Sequence, residues 1–318
     1  MNRLPVCRAD QISERPGETR WLIEGLWAEQ AVGIVGGEPK CCKSFLALDL
    51  AVAVASGSDC LRRFRPATQG PVLLFSGEDG LDIVRRRLEG IATAAGVPFA
   101  GLDVHVITAP SLRLDLPADQ QRLGDTVDAL KPRLLVLDPF VRLHRIDENA
   151  AADVAPLLGY LRDLQRRFHT AVLLVHHARK GAAHLRAGQA LRGSSELHAW
   201  GDSNLYLRRK GERLHLTIEH RAAPSGDELI LELEDHGLGL ALRPLDAPSV
   251  AAIETEGAPS ARDRIEQVLA RAATPLTQRE LRRACRMRAH TLGQVLATLI
   301  ASGRVHRAGD GYRLTTDP

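Results

Sequence analysis

Short, mostly apolar runs recur at Ala31–Val35, Val72–Phe75, Val104–Ile107, Leu134–Leu137 and Ala171–Val175, and a stretch able to form a helix follows each. The helices read as Ser44–Ala55, Leu81–Ala95, Ala118–Leu130 and Ala151–Arg167, the last with apolar residues at Val154, Leu157, Leu158, Leu161 and Leu164. This alternation predicts an α/β fold, a parallel sheet with helices on both faces. From about residue 202 the rhythm shortens. Asn204–Leu207, Arg213–Ile218, Glu228–Leu233 and Leu238–Leu242 are joined by turn-forming residues, which predicts antiparallel strands extending the sheet.

The Pro-, Ala- and Gly-rich stretch 245–259 has weak periodicity and reads as a linker, giving a first domain of 1–244 and a second of 260–318. In the second, Ala261–Arg271, Gln278–Arg283 and Ala289–Ala301 are predicted helices, with Thr277 and Glu280 spaced as a capping box. Arg304–His306 and Tyr312–Thr315 then flank AGDG as a hairpin. Three helices followed by a hairpin is the order of a winged helix-turn-helix domain.

Charge sharpens this division. The formal net charge of +3 over 318 residues looks uninformative. Residues 260–318 alone hold eleven Arg against five acidic groups, a local charge of +6 that leaves −3 on the rest. No run approaches the roughly 18 apolar residues of a membrane span, and the first twenty residues contain no signal-like apolar core, so a cytoplasmic protein is expected. The five cysteines show no metal-ligand spacing and no disulfide framework.

Four segments carry candidate chemistry, each at the end of a predicted strand. The first is VGIVGGEPKCCKSFLALDLA, a strand, a loop and a helix read as amphipathic. Gly37, Glu38, Pro39, Lys40, Cys41, Cys42, Lys43 and Ser44, continued by Phe45, form a phosphate-binding loop. In such a loop, backbone N–H groups and a helix N-terminus face the phosphates, Lys43 reaches their oxygens and Ser44 ligates Mg²⁺. Cys42 stands where glycine is expected, and its side chain either crowds the nucleotide or forces the backbone to relax. The Cys41–Cys42 pair reads as small apolar filler rather than as a redox couple.

The second segment, PVLLFSGEDG, places Glu78 to activate water, with Asp79 assigned to capping the following helix. In the third, RLLVLDPFVRLH, Asp138 completes the Mg²⁺ shell with Ser44. The fourth, AVLLVHHARKG, ends on His176 and His177, either of which could sense the terminal phosphate.

Together with RGSSE at Arg192–Glu196, these segments resemble the RecA-like hexameric helicases of the plasmid replication RepA type and their AAA_25-type ATPase relatives, over about residues 20–240. The resemblance implies a RecA-like P-loop fold, ATP and Mg²⁺, a homo-oligomer of hexamer type with nucleotide between subunits, and action on single-stranded DNA. It implies catalytic roles for Lys43, Glu78, Asp138 and His177, and adds Arg87 in the helix after Glu78. Asp202 falls where replicative members carry an arginine finger, so Arg192, Arg208 or Arg221 become substitutes, Arg221 first. The basic C-terminal module resembles a winged helix that docks on DNA through Arg286, Arg288, His290, Arg304, Arg307 and Arg313. A DNA motor for replication or maintenance of a mobile element is therefore expected. A nucleotide-gated DNA-binding regulator without unwinding activity is the rival.

Overall fold

The computed structural model describes residues 6–11, 21–177, 195–211, 213–237, 239–245, 261–272, 274–285, 289–309 and 311–315. The chain divides into two compact units, 1–246 and 247–318.

In the first unit a small hairpin, β1 (Trp21–Ile23) and β2 (Trp27–Ala28), precedes the main sheet. The sheet's parallel part is built from β3 (Val32–Gly37), β4 (Val72–Ser76), β5 (Val104–Val106), β6 (Leu134–Asp138) and β7 (Ala171–His177). It continues through β8 (Ser203–Lys210), β9 (Arg213–His220), β10 (Leu229–Asp235) and β11 (Leu240–Pro244). The nine strands lie in the order β11-β10-β9-β8-β3-β7-β6-β4-β5. β8 pairs parallel with β3, and β9 to β11 add antiparallel strands, so the expected extension is present.

Alternating strand residues feed two cores. Leu74, Val136, Leu173, Leu205 and Leu207 pack on one face with α1 (Lys43–Ser56) and α2 (Leu81–Ala94). Phe75, Leu137, Leu174 and Tyr206 pack on the other with α3 (Pro117–Leu130) and α4 (Ala151–Phe168). Each fully buried Leu or Val in these layers contributes about 1.5–3 kcal/mol. A short helix, α5 (Ser195–Trp200), precedes β8.

One helix departs from its expected character. α1 is buried around its whole circumference from Leu46 to Ala55, so it is a central rather than an amphipathic helix. Its one buried carboxyl, Asp49, accepts a 2.6 Å bond from the Leu61 amide. Leu61 and Arg62 both have left-handed backbone (φ 51° and 54°), and Asp49 holds that turn. Burial pushes the Asp49 carboxyl up to about 6.

Close approaches at glycine lock further strands and helices. A Cβ on Gly33 would stand 1.7 Å from the Ser203 carbonyl, so β3 and β8 can meet there only without a side chain. Gly90 of α2 and Gly239, before β11, touch backbone to backbone, and a Cβ on either would lie under 3 Å from the other.

The second unit contains α6 (Ala261–Arg271), α7 (Gln278–Ala284), α8 (Ala289–Ala301) and a hairpin of β12 (Val305–Ala308) and β13 (Gly311–Leu314). Ile265, Leu281, Leu292, Leu296, Leu299 and Val305 form its own core. The Thr277–Glu280 box is made: the Thr277 amide donates to Glu280 Oε2 at 2.8 Å, and the Glu280 amide to Thr277 Oγ1 at 3.3 Å.

Among the described residues no helix is long and apolar enough to cross a membrane.

Candidate nucleotide site

The parallel strands end in register, and their ends make a crevice. Gly37 of β3 lies opposite His177 of β7, and Ser76 of β4 opposite Asp138 of β6. The turn after β4 carries Glu78 and Asp79, and the loop after β3 leads into α1. These residues line a cavity of about 260 Å³ that takes in the loop residues Lys40 to Phe45, Glu78, Asp79, Arg87, Asp138 and His177.

Sterics fix the loop. A Cβ at Gly37 would stand 2.3 Å from the Leu207 carbonyl and 2.7 Å from Cys41 Sγ, so β8 presses on the base of the loop. Lys40 and Cys42 both adopt left-handed backbone (φ 64° and 62°). Cys42 thus keeps the conformation a glycine would supply, at a cost of roughly 1–2 kcal/mol. Its carbonyl accepts the Leu46 amide as α1 begins. Cys41 is buried, and its thiol donates to the Glu38 carbonyl at 2.8 Å. Burial raises the thiol pKa at both cysteines; at Cys42, Arg209, Arg87 and Lys43 partly offset it.

Lys43 is 5% exposed, and its Nζ donates to the Glu38 carbonyl at 2.7 Å. Burial lowers its pKa, opposed by Cys41 and Asp138. The Ser44 hydroxyl bonds the Asp138 carboxyl, which burial pushes up to about 6. A buried carboxyl beside a hydroxyl at a helix N-terminus suits a divalent cation, whose charge would offset the desolvation. The loop, with its lysine and helix end, suits phosphate oxygens. The residues therefore fit ATP and Mg²⁺.

Glu78 is paired with Arg142, whose Nε donates at 3.1 Å; both side chains are substantially exposed. Arg142 lies in the turn after β6, and Gly77 lets the two turns meet, since a Cβ there would fall 2.8 Å from Arg142 Cβ. The Asp79 assignment is corrected. Gly80 caps α2, and the Asp79 carboxylate is bound by both terminal nitrogens of Arg87, one at 3.3 Å. Arg87 thus enters the cavity beside Asp79, 5.0 Å above the Phe45 ring. His177 reaches the cavity, whereas His176 is buried with its ring 5.9 Å from Phe140.

The finger position is occupied differently from the expectation. Asp202 holds Arg162 and, at 3.1 Å, Arg221; its carboxylate also accepts the Val32 amide at 3.3 Å. Arg221 donates as well to the Ala199 carbonyl. Because Ser203 pairs with Gly33 and with His220, this cluster lies at the end of the sheet opposite the loop. Arg221 is therefore engaged within its own subunit. Arg208 follows Tyr206 to the face of α3 and α4, away from α1. Arg192 lies outside the described residues.

In the second unit, Arg304 pairs with Glu266 at 3.5 Å, Arg307 stacks 5.7 Å from Tyr312, and Arg313 is exposed on β13. Arg286, Arg288 and the side chain of His290 lie outside the described residues.

Three roles at the site go beyond what the motifs predict: Asp79 as partner of Arg87, Arg142 as partner of Glu78, and Arg209, whose Nη2 donates to the Lys40 carbonyl at 3.4 Å. Arg209 is legible in principle, because strand alternation from Leu205 and Leu207 points it toward α1.

A model of the AAA_25 family, described as an AAA domain, matches residues 2–183. Among solved structures, the ATPase domain of a helicase superposes with a TM-score of 0.52 at 14% identity, covering 67% of this chain and 85% of that one. The crystal structure of the RadB recombinase gives 0.49 at 18% identity, over 69% and 92%. The match over more than half of the residues and the phosphate loop on its parallel sheet lead to one conclusion: the chain belongs to the AAA_25 family and is a P-loop ATPase of RecA-like fold.

Proposed function

We propose that the chain is an Mg²⁺-dependent, ATP-driven DNA motor, a replicative helicase or maintenance ATPase of a plasmid or other mobile element. The observation that supports this most is the convergence of Lys43, Ser44, Glu78, Asp138 and His177 on one crevice at the strand ends. In this reading the loop amides and the N-terminus of α1 bind the phosphates, and Lys43 leaves the Glu38 carbonyl for a phosphate oxygen. Ser44 and Asp138 hold Mg²⁺, which neutralises phosphate charge. Glu78 exchanges Arg142 for the attacking water, a small cost because exposed ion pairs are worth about 1 kcal/mol or less. His177, across from Gly37, carries the loss of the terminal phosphate to β7 and the segment beyond it. Arg87 and Asp79 wall the cleft.

The three helices and hairpin of the second unit support a winged helix-turn-helix reading, with Arg286, Arg288 and His290 at the start of α8 and Arg304, Arg307 and Arg313 on or beside the wing. Single-stranded DNA is the partner of the motor, and a duplex or junction that of the winged helix. Likeness to a helicase ATPase domain supports a homo-oligomer, with a hexamer as the expected form. The rival, an ATP-gated DNA-binding regulator, is favoured by one observation, the commitment of Asp202 to Arg162 and Arg221 within the subunit.

The discriminating experiment measures strand separation of a forked duplex together with ATP turnover, with and without single-stranded DNA. The motor reading expects DNA to raise turnover and ATP to drive separation. ATP-dependent DNA binding without separation or stimulation would establish the regulator instead.

A further inference from the structure

The row Leu205, Leu207, Arg209 lies on the α1-facing side of β8. Its two leucines are buried in the core shared with α1, and the third position reaches past the core to the phosphate loop. β8 is held there by the close approach of its Leu207 carbonyl to Gly37. Arg209 is therefore fixed in relation to the loop by the sheet itself. Its Nη2 donates to the carbonyl of Lys40, a loop residue with left-handed backbone, and its charge acts on Cys42 together with those of Arg87 and Lys43. Of these cations, Arg87 is bound by Asp79 and Lys43 is buried.

We propose that Arg209 is a catalytic residue acting in cis: it contacts the phosphates of the nucleotide held by its own subunit's loop, so that hydrolysis does not require an arginine from a neighbour. This rests on the reading of the crevice as an ATPase site. The 3.4 Å bond to Lys40 is long and lies at the surface, so replacing a carbonyl by a phosphate oxygen exchanges a weak contact for a charge-assisted one that a guanidinium can make with two nitrogens. The same sheet explains why the far end does not serve. Arg221 is held at the opposite end by Asp202 and the Ala199 carbonyl.

The test uses the full chain with Mg²⁺-ATP. Arg209→Ala is expected to lower kcat by about 10²-fold, as loss of one charge-stabilising donor does elsewhere, with a smaller change in KM and an unchanged thermal midpoint. Arg209→Lys is expected to recover part of the rate. Mixing decides between cis and trans. Lys43→Ala subunits carry Arg209 but no working loop, and Arg209→Ala subunits carry the loop without the arginine. In cis, the mixture turns over no faster than its components measured apart. Recovery of activity on mixing, or full kcat in Arg209→Ala, would overturn the proposal while leaving the ATPase reading intact. Failure of the unaltered chain to bind a fluorescent ATP analogue would overturn both.

Discussion

At the level of single residues, the loop shows how a rule can be broken at its side chain and kept at its backbone. Cys42 occupies a glycine position and adopts glycine's conformation, φ 62°, so the phosphate-binding geometry persists under strain. Cys42→Gly should release about 1–2 kcal/mol of strain and return about 0.4–1 kcal/mol as extra freedom of the unfolded chain. The net expectation is a gain below about 1 kcal/mol, read by denaturant unfolding. A loss of that size would mean that the thiol's packing, not the backbone, holds the loop. The motif residues themselves are legible in the sequence, because chemistry at strand ends leaves a compact local signal. Their partners are not. Arg142 is 64 positions from Glu78, and Arg209 is 169 from Lys40, so each pairing exists only after the sheet is assembled. Asp79 departs from its expected role for a related reason: a carboxylate before a helix suits a cap, and only the placement of Arg87 along α2 shows the competing partner.

At the level of elements, the strand and helix positions follow the sequence closely, since a parallel sheet buried on both sides leaves continuous apolar runs. What the runs do not show is how tightly the elements meet. Gly33→Ala places a methyl group against the Ser203 carbonyl, so it should separate β3 from β8 and lower the thermal midpoint by more than about 10 °C or prevent folding. A midpoint within a few degrees of the unaltered chain would contradict the close approach. A carboxylate within the apolar run of α1 suggests an amphipathic helix, yet Asp49 faces inward to the Leu61 turn. Asp49 has a consequence for pH. Its folded value of about 6 exceeds the usual 3.8, so the folded state retains a proton that the unfolded state releases. Stability is then lost as pH rises from about 4 to about 6, by on the order of 3 kcal/mol at most for this group. Asp49→Asn should flatten that fall, and parallel pH profiles for the two proteins would show that the carboxyl titrates normally.

At the level of the whole molecule, a near-neutral chain divides into a body of net charge −3 and a C-terminal part of +6. The structure gives each a separate hydrophobic core. If the basic unit anchors DNA, a chain ending at Asp246 should keep DNA-independent ATP turnover and lose duplex binding, and the full chain's affinity should fall steeply with salt. A truncated chain that bound duplex as tightly, with the same salt slope, would transfer the DNA contact to the first unit. The central claim is that the crevice hydrolyses ATP with Glu78 activating the water. The measurement that tests it most directly is single-turnover phosphate release by Glu78→Gln beside the unaltered chain, with ATP affinity measured in parallel. The account predicts unchanged ATP affinity and a rate at least about 10²-fold lower, the scale of general-base catalysis; equal rates in the two proteins would contradict it.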